Sequence, residues 1–332
     1  MNQIVKAGLF SVAAFGLSTT ILLAQSTLEQ QRQQAMANSQ VQPQFSEQQS
    51  PPGFPLAADH QQHVDSVLDY WEKSSEQIKR CTCDFRRFDY EQTRCDWREP
   101  GSQRLAAASV VMGQIKYEAP DKALYEATES WDFSGTKNDG KEANYVQRED
   151  ADLAHEKWIC DGESTYEFDF INHRIYESQI DPQYRGQGLI DSPMPFLFGA
   201  SRTQLLERYW IKSATPSNVT DAIWLEAFPK RQSDAQNYSK VLIVLSRSDF
   251  LPSTIQVFSP NYNPTENQLD NRVFEFGDRK LNTQLGAIQS WGGLFIRPRT
   301  PVGWTLVDSD AAAKSASSMN GSGPQNNNEQ IK

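Results

Sequence analysis

The feature that most constrains this chain is a change of hydrophobic period at Cys81. Before it, Val64, Val67, Leu68, Trp71 and Ile78 recur at helical spacing, with Asp65, Asp69, Glu72 and Lys73 on the other side. Asp59 and Gln62 form a capping-box pattern, so one amphipathic helix is predicted over 60–79. After Cys81, short β-rich runs are separated by turn residues. The runs are 81–90, 109–118, 122–131, 143–148, 156–161, 165–170, 174–180, 207–213, 222–229, 239–247, 253–259, 270–276 and 303–307. In the second, Val111, Gly113, Ile115 and Tyr117 share one face. Gly135, Asn138-Asp139-Gly140, Asp161-Gly162, Asn172-His173 and Asn261 to Pro264 supply turns between runs. A short helical interruption is expected at 193–206.

Strand never alternates with long helix here, which excludes a doubly wound parallel sheet. The fold class is mainly β with few helices (α+β): a long antiparallel sheet curled over a helix, because so many strands rarely stay flat and open. Wherever the helix leaves the concave face unfilled, that face becomes an apolar cavity, the usual place for a small ligand.

The ends read differently. Residues 1–24 carry Lys6, then an uncharged, mostly apolar run, then Leu22-Leu23-Ala24, the order of a secretory signal peptide, with an uncleaved anchor as the alternative. Gln25 stands where a lipid-modified cysteine would be, so the chain is not itself expected to be a lipoprotein. Residues 25–58 are Gln- and Pro-rich and read as a disordered spacer; 309–332 read as a disordered tail. One domain over 59–308 is expected between them, outside the cytoplasm, in a periplasm or otherwise exported. The formal net charge of −10 argues against nucleic acid as a partner.

Several motifs, in order, resemble the periplasmic lipoprotein-carrier superfamily, the soluble shuttles of lipoprotein localisation, and more closely a planctomycete branch of exported proteins with that fold. They are Gly113-Gln-Ile-Lys-Tyr-Glu-Ala-Pro120 with Leu124-Tyr125, Trp158-Ile-Cys-Asp-Gly162 followed by Tyr166-Glu-Phe-Asp169, Ser192-Pro193 to Gly199, Trp224 to Lys230, and Phe295 to Trp304. The resemblance implies an incomplete antiparallel β-barrel closed by short helices, with a hydrophobic cavity for acyl chains. It also departs from the pattern: the carriers have Arg before the proline of the first motif, where this chain has Ala119.

Cys81, Cys83, Cys95 and Cys160 are even in number in an exported chain, so two disulfides are expected, with Cys81 and Cys83 bonding to Cys95 and Cys160 in either order. The C-x-C spacing does not suit a zinc site. His60 and His63 are i, i+3 in a polar segment and read as solvated surface, so no metal is expected. Ser164 lacks a nucleophile-elbow frame and no carboxylate pair is nominated by spacing, so no catalytic residue and no cofactor is assigned. The remaining signal is aromatic: Tyr117, Tyr125, Trp131, Trp158, Tyr166, Phe168, Phe196, Phe198, Tyr209, Trp224, Phe228, Phe258 and Phe274 are the candidate cavity lining, or simply core.

These readings describe an exported, non-enzymatic binding protein that holds a lipid or lipoprotein acyl chain and touches a membrane transiently. The alternative is an envelope adaptor or sensor that uses the same fold to bind a protein partner.

Overall fold

The computed structural model of the chain describes residues 49–309 except 103, 181, 183–200, 283–290 and 292. The expected signal segment, most of the spacer, residues 310–332 of the tail, and the Pro193–Phe198 stretch lie outside the described residues.

Helix α1 (Ala58–Glu76) carries Val64, Val67, Leu68 and Trp71 on its buried stripe, and Ile78 continues that stripe just beyond its end. The capping box is not formed. Ala57 is the N-cap and makes no side-chain cap hydrogen bond; Asp59 already lies in the first turn, where a carboxylate complements the helix dipole but cannot cap.

Each of the predicted β-rich runs is a strand: β1 (Arg80–Tyr90), β2 (Ser109–Glu118), β3 (Lys122–Lys137), β4 (Glu142–Gln147), β5 (Glu156–Cys160), β6 (Ser164–Asp169), β7 (Arg174–Gln179), β8 (Tyr209–Ser213), β9 (Ala222–Pro229), β10 (Lys240–Ser246), β11 (Pro252–Phe258), β12 (Asn271–Leu281) and β13 (Thr305–Asp308). β3 extends past its predicted end because β4 folds back on it through Asn138, Asp139 and Gly140, all at positive φ. The other α-helices among the described residues are short: α2 (Ala151–Ala154), α3 (Arg202–Arg208) and α4 (Gln232–Ala235). At α3 a capping box does form, between Ser201 and Gln204.

The strands make one 13-stranded sheet in the order β13-β7-β6-β5-β3-β2-β1-β12-β11-β10-β9-β8, with β4 paired to β3 off this path. Every pairing among the described strands is antiparallel except β13 with β7, which is parallel. The chain reaches that edge by crossing the sheet, and Trp291, Leu294, Phe295, Trp304 and Leu306 cover Leu124, Ile159, Tyr166 and Ile175 on the way. The larger core lies on the opposite face. There the α1 stripe joins Cys81, Cys83, Phe85, Val111, Ile115, Tyr117, Leu225, Ile243 and Phe274. Arg202 of α3 ties itself to α1 through Asp65 at 3.1 Å and Asp69 at 3.5 Å.

The sheet is open and curled. On the α1 side, Arg87 of β1 reaches Glu156 of β5 with two hydrogen bonds of 2.5 and 2.7 Å, although β2 and β3 lie between. Three strand spacings span about 14 Å in a flat sheet. Side chains that meet over that distance converge, so the α1 face is the concave one.

Candidate functional site

Directly paired residues point to the same side of a sheet, which assigns every candidate side chain to a face. One row runs along the concave side through Cys83, Ile115, Tyr125, Trp158, Glu167 and Tyr176. Burial falls along it as far as β6 and then recovers in part: Cys83 and Ile115 are buried, Tyr125 and Trp158 are half-buried, Glu167 is exposed, and Tyr176 is half-buried. The apolar core therefore thins from β1 towards β7. Neighbouring concave positions are small, with Gly113, Ala123 and Ala127 among them.

The structure brings Tyr117, Tyr125, Trp158, Tyr209 and Phe274 together on this concave side. It does not bring the others there. Trp224 and Phe228 alternate with the buried Ile223, Leu225 and Ala227, so they face away from α1. Tyr166 and Phe168 belong to the cluster beneath the C-terminal crossing. Trp131 alternates with the concave Ser130, and Phe258 packs edge-on against Tyr262 at 4.6 Å beside Lys240. Phe196 and Phe198 lie outside the described residues.

At the end of the concave face where β1 finishes and β5 starts, a charged network closes the row. Arg87 holds Glu156 and, at 3.0 Å, Asp89; Arg272 of β12 bonds the other Asp89 oxygen at 2.5 Å. The Arg87 Nη1 also donates to the Tyr125 hydroxyl at 2.9 Å, and that ring stacks on Phe85 at 4.7 Å. Burial pushes the Asp89 carboxyl up, but Arg272 and Arg87 outweigh it and hold it below the usual range. Glu156 behaves alike: burial raises it, and the Arg87 hydrogen bonds and charge lower it further. Both acids are thus anions locked to arginines, a pairing that braces the curl rather than a free acid and base. Sequence reasoning missed this network. Its one signal was the alternation in 81–90, which sets Arg87 and Asp89 on the same side as Cys81, Cys83 and Phe85.

The expected disulfides are absent: Cys81, Cys83, Cys95 and Cys160 are all free and buried. Cys81 and Cys83 point the same way from one strand. Cys160 does share a row with Cys81, through Tyr117 and Ala123. That leaves the two about 14 Å apart across the strands, where a disulfide needs Cα atoms within about 7 Å. The thiols instead donate to backbone carbonyls, Cys160 to Asp121 at 3.0 Å and Cys83 to Gly277 at 3.3 Å. Burial pushes Cys81 up to about 12 and Cys83 and Cys160 up to about 11, and raises Cys95 as well, so they are poor nucleophiles.

Away from the concave face, a cleft of about 490 Å³ lies between α3 and the end of β9, lined by Arg202, Thr203, Leu206, Glu207 and Lys230. The Lys230 ammonium already donates to the Leu206 carbonyl at 2.5 Å, which ties the cleft into the scaffold. His60 and His63 are exposed on α1. Among the described residues, no helix is long and apolar enough to cross a membrane.

No family model and no curated protein matches the sequence. Solved structures with a similar course of chain include a conserved protein from Thermus thermophilus (7% identity, TM-score 0.38, 74% of this chain and 99% of that one). A LolA-superfamily protein from Nitrosomonas europaea matches at 12% identity and TM-score 0.30, over 70% of this chain and 96% of that one. MucB in the Pseudomonas aeruginosa MucA/MucB complex matches at 13% and 0.32, over 68% of this chain and 60% of that one. All lie below the similarity at which a site or an activity carries over.

Proposed function

We propose that this chain is an exported binding protein, not an enzyme, that holds an acyl chain of a lipid or lipoprotein against the β3–β5–β7 side of its concave face. The observation that carries the reading is the fall in burial along the row from Cys83 to Glu167. Tyr125 and Trp158 form an aromatic shelf on the inner side of a curled sheet, with Tyr176 beyond Glu167, and all three rings stay only half-buried where the same side next to β1 is sealed. An aromatic shelf continuous with a core suits an apolar ligand, because each ring exposed there gains by covering. The Arg87–Glu156 pair sits at one end, where a polar headgroup would emerge. The apolar N-terminal run supports export.

The test is displacement of a dansyl-labelled fatty acid, followed by its emission shift. Tyr176→Asp and Trp158→Ser should weaken binding by about tenfold or more, while Trp224→Asp on the outer face leaves it unchanged. Absence of probe binding by the wild type, or equal loss from the outer-face variant, would remove the reading.

A further inference from the structure

Where the concave face ends in the charged brace, donors and acceptors do not balance. Every carboxylate oxygen there is occupied. One Asp89 oxygen accepts from Arg272 Nε at 2.5 Å, and the other accepts from Arg87 Nε at 3.0 Å and the Ser109 hydroxyl at 3.2 Å. One Glu156 oxygen accepts from Arg87 Nη2 at 2.7 Å, and the other from Arg87 Nη1 at 2.5 Å and the Tyr125 hydroxyl at 3.3 Å. Arg87 spends its nitrogens on these contacts, and its side chain is buried. Arg272 does not. Among the described residues only its Nε has a partner, and its side chain is 51% exposed, so Nη1 and Nη2 are donors without a protein acceptor.

An exposed arginine ordinarily swings, and ordering it costs side-chain entropy. This one is aimed. Its Nε is anchored on Asp89, a buried carboxylate that Arg87 and Ser109 hold in turn. Anchoring Nε leaves the Nη1–Nη2 edge of the planar guanidinium open, a fork whose spacing matches two oxygens of a carboxylate or a phosphate.

Register places the fork on the ligand side. Arg272 pairs with Asp89 on β1 and with Val257 on β11, and it alternates with Val273, so it shares the concave side with Phe274. Contacts run unbroken from it to the aromatic shelf: Arg272 to Asp89, Asp89 to Arg87, and Arg87 to the Tyr125 hydroxyl at 2.9 Å. Its charge is felt there too, since burial pushes the Tyr125 hydroxyl up while Arg87 and Arg272 pull it down. The far side of the shelf has the opposite character. Beyond Trp158 the row passes to the carboxylate of Glu167, and Arg174 stands in register with Asp169.

We infer that Arg272 seats the anionic head of an amphiphile, a carboxylate or phosphate whose oxygens meet Nη1 and Nη2 while its acyl chain runs over Tyr125 and Trp158. The inference rests on the acyl-chain reading and adds the class of ligand to it. Because the acceptors of the brace are all taken, a purely donating head such as an alkylammonium finds no open partner there. Arg87 holds the face in shape, and Arg272 selects what lies on it.

The experiment is displacement of the uncharged dye N-phenylnaphthylamine from the purified protein by three ligands with one and the same chain: laurate, dodecyl phosphate and dodecanol. The wild type should bind at least one of the anions about tenfold more tightly than the alcohol, and the tighter anion identifies the head. Arg272→Gln should bring that anion level with the alcohol. Arg272→Lys keeps the charge but loses the fork, and should retain part of the preference. A wild type that binds all three equally overturns the inference while the acyl-chain reading stands; a wild type from which none of them displaces dye overturns both. Equal loss of all three ligands in Arg272→Gln also overturns it, since the residue would then act only through the brace. Displacement by inorganic phosphate, which has no chain, would assign the fork to a free anion and overturn it as well.

Discussion

Replacing Glu156 by Gln tests whether the brace across the concave face holds the curl. The change keeps shape and removes charge from a partner that holds the Arg87 guanidinium with hydrogen bonds of 2.5 and 2.7 Å. Breaking a buried ion pair costs about 3–5 kcal/mol, and an exposed one below about 1 kcal/mol. The Arg87 side chain is 10% exposed and that of Glu156 is 43%, so the pair falls between these limits. Asp89 still neutralises Arg87 at 3.0 Å. A loss of about 2 kcal/mol follows, which for a domain of this size lowers the melting temperature by roughly 4–8 °C. The sign with pH is also set. Glu156 and Asp89 both titrate below their ordinary carboxylate values, so their contribution is complete above about pH 4.3 and fades as pH falls through the lowered values. Thermal melts by circular dichroism at neutral pH and in acid are the assay. The gap between wild type and variant should be open at pH 7 and shrink in acid. Equal melting at neutral pH, or a gap undiminished in acid, would refute the brace.

Two further outcomes test the frame around it. Gly113→Ala should destabilise strongly, because its new Cβ would lie 2.1 Å from the Glu126 carbonyl oxygen and 2.6 Å from the Ala127 Cα, backbone that can move only with β3. Overpacking of this kind costs about 3 kcal/mol or more, so an unchanged melt would contradict the close approach at the β2–β3 bulge. The four thiols should resist alkylation at pH 8 in the folded protein and all react once it is unfolded, with no change on adding reductant; protection lost only after reduction would restore the disulfides.

The elements were legible and the faces were not. Alternation and turn residues placed all the strands, down to the ends of 109–118 and 222–229, because each run repeats a local pattern. Alternation shows that Trp224 and Leu225 oppose each other, but both are apolar, and only the position of α1 decides which is inner. The same blindness hid the arginine brace: Arg87 and Glu156 are 69 residues apart, and their contact depends on how far the sheet curls. The parallel pairing of β13 depends on where the C-terminal crossing lands, through Phe295 and Trp304, which no local spacing records. Even cysteine number suggested staples, whereas the strand order holds Cys81 and Cys160 apart.

Native mass spectrometry of the protein, purified gently from its own envelope fraction, addresses the binding role most directly. The expected spectrum contains a co-purifying mass matching an acyl lipid or lipoprotein, lost in Tyr176→Asp, on a chain that starts at Gln25. A bare protein mass, or a protein partner retained equally by the variant, would contradict acyl-chain binding on the concave face.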